Sequence, residues 1–343
     1  MPPSPALPKH ESRSLPKDHE TAVTPVPASV VVRTPGKINV SLKVGPPRPD
    51  GYHSVASVYL AVSLFEEVTA TAEPGDAIRL TVSDPDRRVS VAGIPLDERN
   101  LAARAARAVA ARSGRTEAGV HLHIAKRVPV AGGMGGGSAD AAAALVACNE
   151  LWQAGLSRTE LAELAAELGA DVPFALLGGA AAGLGVGDRL TPVPAPHRLH
   201  WVLVPAAYGL STPQVYAAVD SLRADTAVPE PEEVEPQILA ALAAGNTAAL
   251  AGVLVNDLQP AALRLAPELE PVLADGLRLG ALAGMVSGSG PTLAFLAADE
   301  AHAHALAASL RGRGHSALAV YGPAEGAATA AGTGFHVSPT NRK

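Results

Sequence analysis

The amino-acid sequence predicts an α+β fold built from two domains. Short runs of β-branched residues recur up to residue 82, and amphipathic helices are interspersed with further strands after residue 100. Strands and helices do not alternate strictly, as they would in a doubly wound parallel sheet, so a partly antiparallel sheet covered by helices is expected. The chain of 343 residues is long enough to give each domain its own core.

The predicted elements follow in order along the chain. β-branched runs predict strands at Ser29–Arg33, Ile38–Val44, Val55–Leu64, Glu67–Thr71 and Ile78–Val82. The next segments predict a helix from near Asn100, a strand at Val120–Ile124, helices at about Ser138–Gln153 and Arg158–Leu168, and a strand at Gly179–Leu184. The last third predicts a strand at Leu199–Val204, several helices between Thr212 and Leu277, a strand pair around a Ser-Gly-Ser-Gly loop, a helix at Glu300–Arg311 and a strand at Ser316–Val320.

Composition divides the chain into four segments. Residues 1–28 are rich in proline, serine and scattered charge, which predicts a disordered extension. A proline-rich stretch, Thr191–Pro196, marks a domain boundary, so the first domain is expected over 29–190 and the second over 191–322. Residues 323–343 are expected to form a flexible tail.

Charge and cysteine content exclude several classes of protein. The net charge is −6 and no long basic run occurs, which argues against a nucleic-acid-binding protein. The single cysteine, Cys148, excludes an intramolecular disulfide and a cysteine zinc cluster. The longest uncharged stretches are too short or are interrupted by glycine and proline, so no membrane span is expected. A cytoplasmic protein is therefore predicted.

The most informative segment is the glycine-rich stretch Pro129–Ala141. It carries five glycines between a predicted strand and a long alanine-rich helix that Ser138 is expected to open. Backbone amides that point inward, together with the free amides of a helix N-terminus, would hold phosphate groups. Neither the Walker spacing nor the dinucleotide-binding spacing of glycines is present. A plain strand-to-helix turn capped by serine is the alternative.

A second glycine-rich loop, Gly284–Thr292, lies between two apolar strands. On local grounds it is compatible with a hairpin turn as well as with a binding loop.

Both loops resemble those of the superfamily that includes galactokinase, homoserine kinase and mevalonate kinase. Within it, the sequence is similar to the family of 4-diphosphocytidyl-2-C-methyl-D-erythritol kinases, over roughly residues 30–322. The matching blocks, besides the two loops, are Pro35–Asn39, Asp50–His53, Arg99–Leu101 and Leu168–Pro173. The resemblance implies a two-domain kinase fold with ATP bound by the first domain and the active site in the cleft between domains. It implies transfer of the γ-phosphate of ATP to the 2-hydroxyl of the cytidine-diphosphate sugar alcohol, a step towards isoprenoid precursors.

The resemblance also implies two catalytic residues. Lys37 matches the family's active-site lysine, and the alternative is a solvent-exposed lysine at a strand end. Asp171 matches the proposed base that accepts the proton of the substrate hydroxyl. An aspartate before Val-Pro is equally typical of a helix N-cap, and the two roles are compatible.

The remaining site residues follow from the same resemblance. The residues expected to bind ATP are Asn100, Pro129, Val130, Ala131, Gly132, Gly133, Met134, Gly135, Gly136, Gly137, Ser138 and Ala139. The residues expected to bind the substrate are Asn39, Tyr52, His53, Tyr208, Thr212, Gly288 and Ser289, with Tyr52 and Tyr208 stacking on the cytosine and His53 bonding its edge. Mg²⁺ is expected as cofactor with Ser138 as its ligand, since Ala139 replaces the second serine of the family's loop. A helix cap is the alternative role for Asn100.

Two other functions are compatible with parts of the pattern. The first is another kinase of the superfamily, acting on homoserine or mevalonate. The second is a non-catalytic nucleotide-binding module on the same fold. The sequence is expected to act on a small molecule as a monomer or weak homodimer.

Overall fold

A computed structural model of the protein describes residues 28–224 and 226–330, and two long antiparallel strands lie at the centre of its first sheet. The strands of the structure are β1 (Ser29–Pro47), β2 (His53–Ala72), β3 (Ile78–Ser83), β4 (Val120–Ala125), β5 (Ala180–Leu184), β6 (Arg189–Pro192), β7 (Leu199–Val204), β8 (Val255–Asn256), β9 (Ala283–Val286), β10 (Leu293–Ala297), β11 (Leu318–Gly322) and β12 (Ala328–Thr329). The helices are α1 (Leu101–Arg112), α2 (Gly136–Leu151), α3 (Arg158–Leu168), α4 (Val172–Leu177), α5 (Thr212–Leu222), α6 (Pro236–Ala244), α7 (Thr247–Ala251), α8 (Gln259–Leu265), α9 (Leu269–Arg278) and α10 (Glu300–Gly312).

The strands form two sheets. The first has the order β12-β1-β2-β4-β3, with β5 paired to β2, β6 paired to β5, and β8 parallel to β1. The second has the order β11-β7-β10-β9 and is antiparallel throughout. Helices packed on partly antiparallel sheets confirm the predicted α+β class.

β1 and β2 are longer than the sequence indicates. The four strands predicted between Ser29 and Thr71 are two continuous ones, because register shifts at Pro35/Gly36 and Asn39/Ser41 let β1 continue past the proline. These irregularities lie beside Lys37 and Asn39, so the bulged part of β1 is the part that carries two predicted site residues.

Alanine-rich helix α2 forms the centre of the first core. Its residues from Ala141 to Cys148 are all buried, and they pack with α1 and with both central strands. Small side chains let the helix approach the sheet closely, which agrees with a core built from alanine, valine and leucine.

The predicted domain division and the predicted flexible tail have different outcomes. Strand β6 extends across the proposed division at residues 190 and 191, and β8 from the later half pairs with β1, so the division into 29–190 and 191–322 stays a prediction. The flexible tail predicted from residue 323 is wrong for residues 323–330, because Ala324 and Ala327 are buried and β12 pairs with β1. The rest of that tail and the extension before residue 28 lie outside the described residues. No helix within residues 28–224 and 226–330 is long and apolar enough to cross a membrane.

Candidate active site

A cavity of about 890 Å³ lies where the two glycine-rich loops meet the central strands. Its lining includes residues of β1 and β2, of both loops, of the turn before α4 and of the first turns of α5. Both glycine loops therefore belong to one site, and the hairpin-turn interpretation of the second loop is incomplete.

The first loop leads into the N-terminus of α2, which begins two residues earlier than predicted. Gly135, in the left-handed conformation with φ 70°, precedes the helix, and Ser138 lies in its first turn without capping it. The residue that precedes the helix is a glycine and not the predicted Ser138, because only glycine adopts this backbone conformation without strain. The first amides of a helix have no intrahelical partner, and Gly136, Gly137 and Ser138 line the cavity. The helix dipole adds positive potential there, so an anion is favoured.

The two loops touch through their backbones. A Cβ on Gly133 would lie 2.1 Å from the carbonyl oxygen of Ser287, and Ser287 Oγ donates a hydrogen bond to the Gly133 carbonyl over 3.2 Å. Asn256 Nδ2 donates to the carbonyls of Val286 and Gly288, which fixes the second loop from the opposite side. Asn256 could not be predicted from the sequence, because a buried asparagine at the end of a two-residue strand has no recognisable motif.

Lys37 and Asp171 face each other across the cavity. The ammonium nitrogen lies 3.7 Å from Asp171 Oδ2, and the two side chains are 12% and 32% exposed. Asp171 precedes α4, yet its side chain makes no capping hydrogen bond. The carboxylate is therefore free to accept a proton from a ligand in the cavity. The amide of Lys37 also donates to the Met134 carbonyl over 3.0 Å, which ties β1 to the first loop.

A directional chain of hydrogen bonds orients the Lys37 side chain. Its ammonium donates to Asn39 Oδ1 over 2.8 Å, Asn39 Nδ2 donates to Ser57 Oγ over 2.7 Å, and that hydroxyl donates to the Ser41 carbonyl over 2.7 Å. The last acceptor is a carbonyl, so the chain admits only one orientation of the Asn39 amide. Ser57 is a site residue that the sequence did not reveal.

Tyr59 forms part of the wall beneath Lys37. The ammonium lies 5.6 Å from the ring centroid, and the ring packs 5.2 Å from that of Phe174. Burial, followed by the charge of Asp171, raises the pKa of the Tyr59 phenol well above its usual value. The phenol therefore stays protonated and does not compete with Asp171 as a base.

Aromatic and polar side chains line the far end of the cavity. Tyr52 is 64% exposed at the mouth, whereas the neighbouring His53 is buried. The His53 ring packs 4.9 Å from the ring of Tyr216 at an angle of 37°. A flat heterocycle would find aromatic partners here.

Tyr208 does not lie at this end of the cavity. Partial burial, followed by a hydrogen bond with Glu268, raises the pKa of its phenol to about 12, and it is absent from the cavity lining. Tyr216, eight residues later on α5, lines the cavity in its place. The prediction favoured Tyr208 because it lies in a loop, while Tyr216 has the spacing of an ordinary helical core residue.

Some of the other predicted residues line the cavity, and the rest lie elsewhere. Thr212 Oγ1 and Ser289 Oγ lie 2.9 Å apart at the cavity, beside Gly288. Asn100 instead caps α1, accepting from the Ala102 amide over 2.9 Å and donating to the Pro95 carbonyl over 2.8 Å, so its alternative role is the one the structure shows. Three of the loop residues expected to bind ATP do not line the cavity: Val130, Met134 and Ala139. Met134 packs in the core, so most of the loop residues that line the cavity are glycines.

A second charged cluster lies beneath the first loop. Lys126 is ion-paired to Glu66 and to Asp140, at 2.8 Å from Asp140 Oδ2, and all three side chains are buried. Asp140 therefore faces the interior and is not a ligand for a metal in the cavity. Within the part of the chain that the structure describes, no group of three or more histidine, cysteine or acidic residues could hold a metal ion. Mg²⁺ tolerates such a sparse site, since it keeps several waters and phosphate oxygens as ligands.

Two family models match the chain. The N-terminal domain of the GHMP kinases matches residues 100–179, and the C-terminal domain of the same kinases matches residues 238–316. A relative from Paenarthrobacter aurescens, named 4-diphosphocytidyl-2-C-methyl-D-erythritol kinase, is 60% identical over 87% of this chain and 95% of its own. A relative of the same name from Streptomyces coelicolor is 55% identical over 83% of this chain and 93% of its own.

Solved structures show the same architecture. The crystal structure of a 4-(cytidine 5′-diphospho)-2C-methyl-D-erythritol kinase superposes with a TM-score of 0.67 at 34% identity, over 85% of this chain and 99% of that one. The homoserine kinase of Cytophaga hutchinsonii superposes with a TM-score of 0.69 at 18% identity, over 90% and 100% of the two chains, which bears on the fold alone.

Proposed function

The chain belongs to the family of 4-diphosphocytidyl-2-C-methyl-D-erythritol kinases, and from this we propose that its cavity transfers the γ-phosphate of ATP to the 2-hydroxyl of 4-diphosphocytidyl-2-C-methyl-D-erythritol. The product would be the 2-phosphate, an intermediate of the methylerythritol phosphate route to isoprenoid precursors. The observation that carries the proposal is the Lys37–Asp171 pair facing the N-terminus of α2 across one cavity.

The first loop supports binding of the ATP phosphates. Gly136, Gly137 and Ser138 line the cavity at the start of α2, where helix amides have no intrahelical partner, and the α2 dipole favours negative charge there. The phosphoryl group passes through a loose transition state, so the protein contributes mainly position and charge. Backbone donors suit this task because they need no reorganisation during transfer.

Lys37 and Asp171 would act at the transferred group. The Lys37 ammonium, fixed by Asn39, offsets negative charge on the phosphoryl oxygens and on the attacking oxygen. Asp171 accepts the proton of the substrate hydroxyl as that oxygen bonds to phosphorus, and the phosphorus–oxygen bond to ADP breaks. Its lack of a capping hydrogen bond supports this role, since the carboxylate is not engaged elsewhere in α4.

Ser138 is the residue of this chain that would hold Mg²⁺. Its position in the first turn of α2, facing the cavity, fits a metal bound chiefly through phosphates and water. When bound, Mg²⁺ neutralises phosphate charge.

The far end of the cavity suits the cytidine. Tyr52 at the mouth and Tyr216 inside offer ring faces for stacking, and His53 lies beside Tyr216 with a ring nitrogen for the base edge. Thr212, Ser289 and Asn39 lie between this end and the Lys37–Asp171 pair, where hydroxyl and diphosphate groups of the substrate would be contacted. The cytoplasmic location and the monomeric or weakly dimeric state stay predictions.

The test is phosphoryl transfer observed by ³¹P NMR with the purified protein, MgATP and the cytidylyl substrate. We expect a new monoester signal and one ADP per product, and no such signal with free methylerythritol phosphate as acceptor. A protein that binds ATP but phosphorylates neither compound, or that prefers homoserine or mevalonate, would contradict the proposal.

A further inference from the structure

Helix α5 presents two side chains to His53, and only one of them stacks. Tyr216 and Asp220 are four residues apart, so they lie one above the other on the same face of the helix. The ring of Tyr216 packs against the His53 ring, and Asp220 Oδ1 lies 2.8 Å from His53 Nε2. Asp220 is 37% exposed, whereas the His53 side chain is 5% exposed.

The contact with Asp220 fixes the proton on the His53 ring. An ionised carboxylate only accepts hydrogen bonds, so Nε2 must carry a hydrogen to bond with it. In a neutral imidazole the other nitrogen, Nδ1, is then an acceptor. A ring held in this way carries a lone pair, and not an N–H group, on Nδ1, and His53 is one of the residues that line the cavity.

An acceptor placed opposite C4 of the base distinguishes the two pyrimidines of similar shape. Cytosine carries an exocyclic amine at C4, which donates, whereas uracil carries a carbonyl oxygen there, which accepts. Nδ1 as an acceptor pairs with the amine and meets the uracil oxygen with opposed lone pairs. Sites with a buried polar group reject an analogue that leaves that group unpaired far more strongly than an apolar pocket does.

We propose that Asp220 is a positioning residue that makes this site select a cytidine diphosphate over a uridine diphosphate, by holding His53 with Nδ1 as acceptor. The inference rests on the proposed function for the location of the base, and it adds the residue that sets the choice of base. Asp220 itself touches no substrate atom in this scheme.

The experiment measures dissociation constants of CDP and UDP by calorimetry in mildly alkaline buffer, for the wild type and for Asp220→Asn. An asparagine side chain can accept from Nε2–H or donate to bare Nε2, so it allows both tautomers of His53. We expect the wild type to prefer CDP by about 10- to 100-fold, and the variant to lose most of that ratio, because one unpaired polar contact is worth about that factor. Asp220→Ala, which removes the anchor altogether, should lower the ratio in the same direction.

Two controls make the ratio specific to this contact. Asp76→Asn removes a carboxylate from an exposed turn that does not line the cavity, and should leave the ratio unchanged. His53→Gln removes the ring, so adding Asp220→Asn to it should have no further effect on the ratio.

A purely structural role for Asp220 would weaken CDP and UDP equally, and an unchanged ratio or an equal loss would overturn the inference. Failure of the proposed function appears elsewhere, as absence of phosphoryl transfer by the wild type in the ³¹P experiment. The binding ratio supports or overturns the role of Asp220 in either case.

Discussion

Two lysine–carboxylate clusters lie on either side of the first glycine loop, and they differ in their access to solvent. The cavity cluster consists of Lys37 and Asp171, and the buried cluster consists of Lys126, Glu66 and Asp140. The side chains of the first are 12% and 32% exposed, and those of the second are 3%, 0% and 6% exposed.

Neighbouring glycines contact the two clusters. A Cβ on Gly135 would lie 3.3 Å from Lys37 Cγ, and a Cβ on Gly136 would lie 3.2 Å from both Lys126 Nζ and Glu66 Oε1. The same types of charged group therefore support one loop from two sides. Only the cavity cluster can reach a ligand, so we assign chemistry to it and structural support to the buried cluster.

Burial also changes the protonation of the buried cluster. Burial, followed by the charge of Asp140, raises the pKa of Glu66, and burial raises that of Asp140. Two carboxyls around one ammonium would carry a net negative charge inside the core, so a shared proton is favourable. The cluster is then neutral, with one carboxyl protonated.

The largest effect is expected from Asp171→Asn in the cavity cluster. Loss of the general base should lower kcat by about 10²- to 10⁴-fold with little change in ATP affinity. Steady-state ADP release and calorimetric ATP binding provide the two measurements. Asp76→Asn is the matched control and should retain wild-type kcat, while an unchanged kcat in Asp171→Asn would contradict the base assignment.

Lys126→Met in the buried cluster should act on stability instead. Removing the cation leaves two buried carboxyls without their positively charged partner, which lowers the free energy of unfolding by about 3–5 kcal/mol. Urea denaturation measures this change. Lys43→Met removes a surface lysine paired with Glu235 at 3.5 Å and should cost at most about 1 kcal/mol. Equal losses in the two variants would show that the buried cluster does not support the loop.

Gly135→Ala tests the contact between the loop and the cavity cluster. The left-handed φ of 70° should cost about 1–2 kcal/mol of stability, and the added methyl group would displace Lys37, lowering kcat by up to about 10²-fold. Gly137→Ala is the control for stability, because its Cβ meets nothing within 4 Å in a helical position, where alanine is favoured by about 0.5–1 kcal/mol. An unchanged kcat in Gly135→Ala would show that the loop does not position the Lys37 side chain.

The smallest effect per pH unit is a pH dependence of stability that Glu66→Gln should remove. The pKa of Glu66 is raised from 4.5 to about 8, so between these values the folded protein holds a proton that the unfolded chain releases. This contribution to stability is complete below about pH 4.5 and is lost as pH rises towards 8, with a slope of at most about 1.4 kcal/mol per pH unit. Glutamine mimics the protonated carboxyl, so the variant should gain on the wild type as pH rises. Urea denaturation at several pH values gives both curves, and parallel curves would contradict the shared proton.

The cavity cluster could be predicted from the sequence and the buried cluster could not. Lys37 and Asp171 were found through the blocks Pro35–Asn39 and Leu168–Pro173, which carry a family resemblance. Glu66 stands in β2, Lys126 directly after β4 and Asp140 in α2, and each is compatible with an exposed position on local grounds. Their meeting depends on the pairing of β2 with β4 and on the packing of α2 on the sheet.

The tyrosine that lines the far end of the cavity, Tyr216 and not Tyr208, also could not be predicted from the sequence. The family resemblance places an aromatic of this region against the base, and it assigns this position to Tyr208, which lies in a loop between alanine and glycine. The rotation of α5 decides otherwise, because it turns Tyr216 and Asp220 towards His53, while Tyr208, in the loop before α5, does not line the cavity.

The family resemblance pointed to Lys37 and Asp171 as the catalytic pair. By itself the sequence determined the α+β class, the two glycine loops and the helix that follows the first of them. These depend on interactions between near neighbours along the chain, such as backbone freedom at glycine, helical periodicity and the free amides of a helix start. The tertiary structure alone decided where α2 begins, which tyrosine lines the cavity, how Asp220 holds His53 and which lysine is sealed in the core. Each of these is set by the register of paired strands and the rotation of packed helices, and so by contacts between residues far apart in the chain.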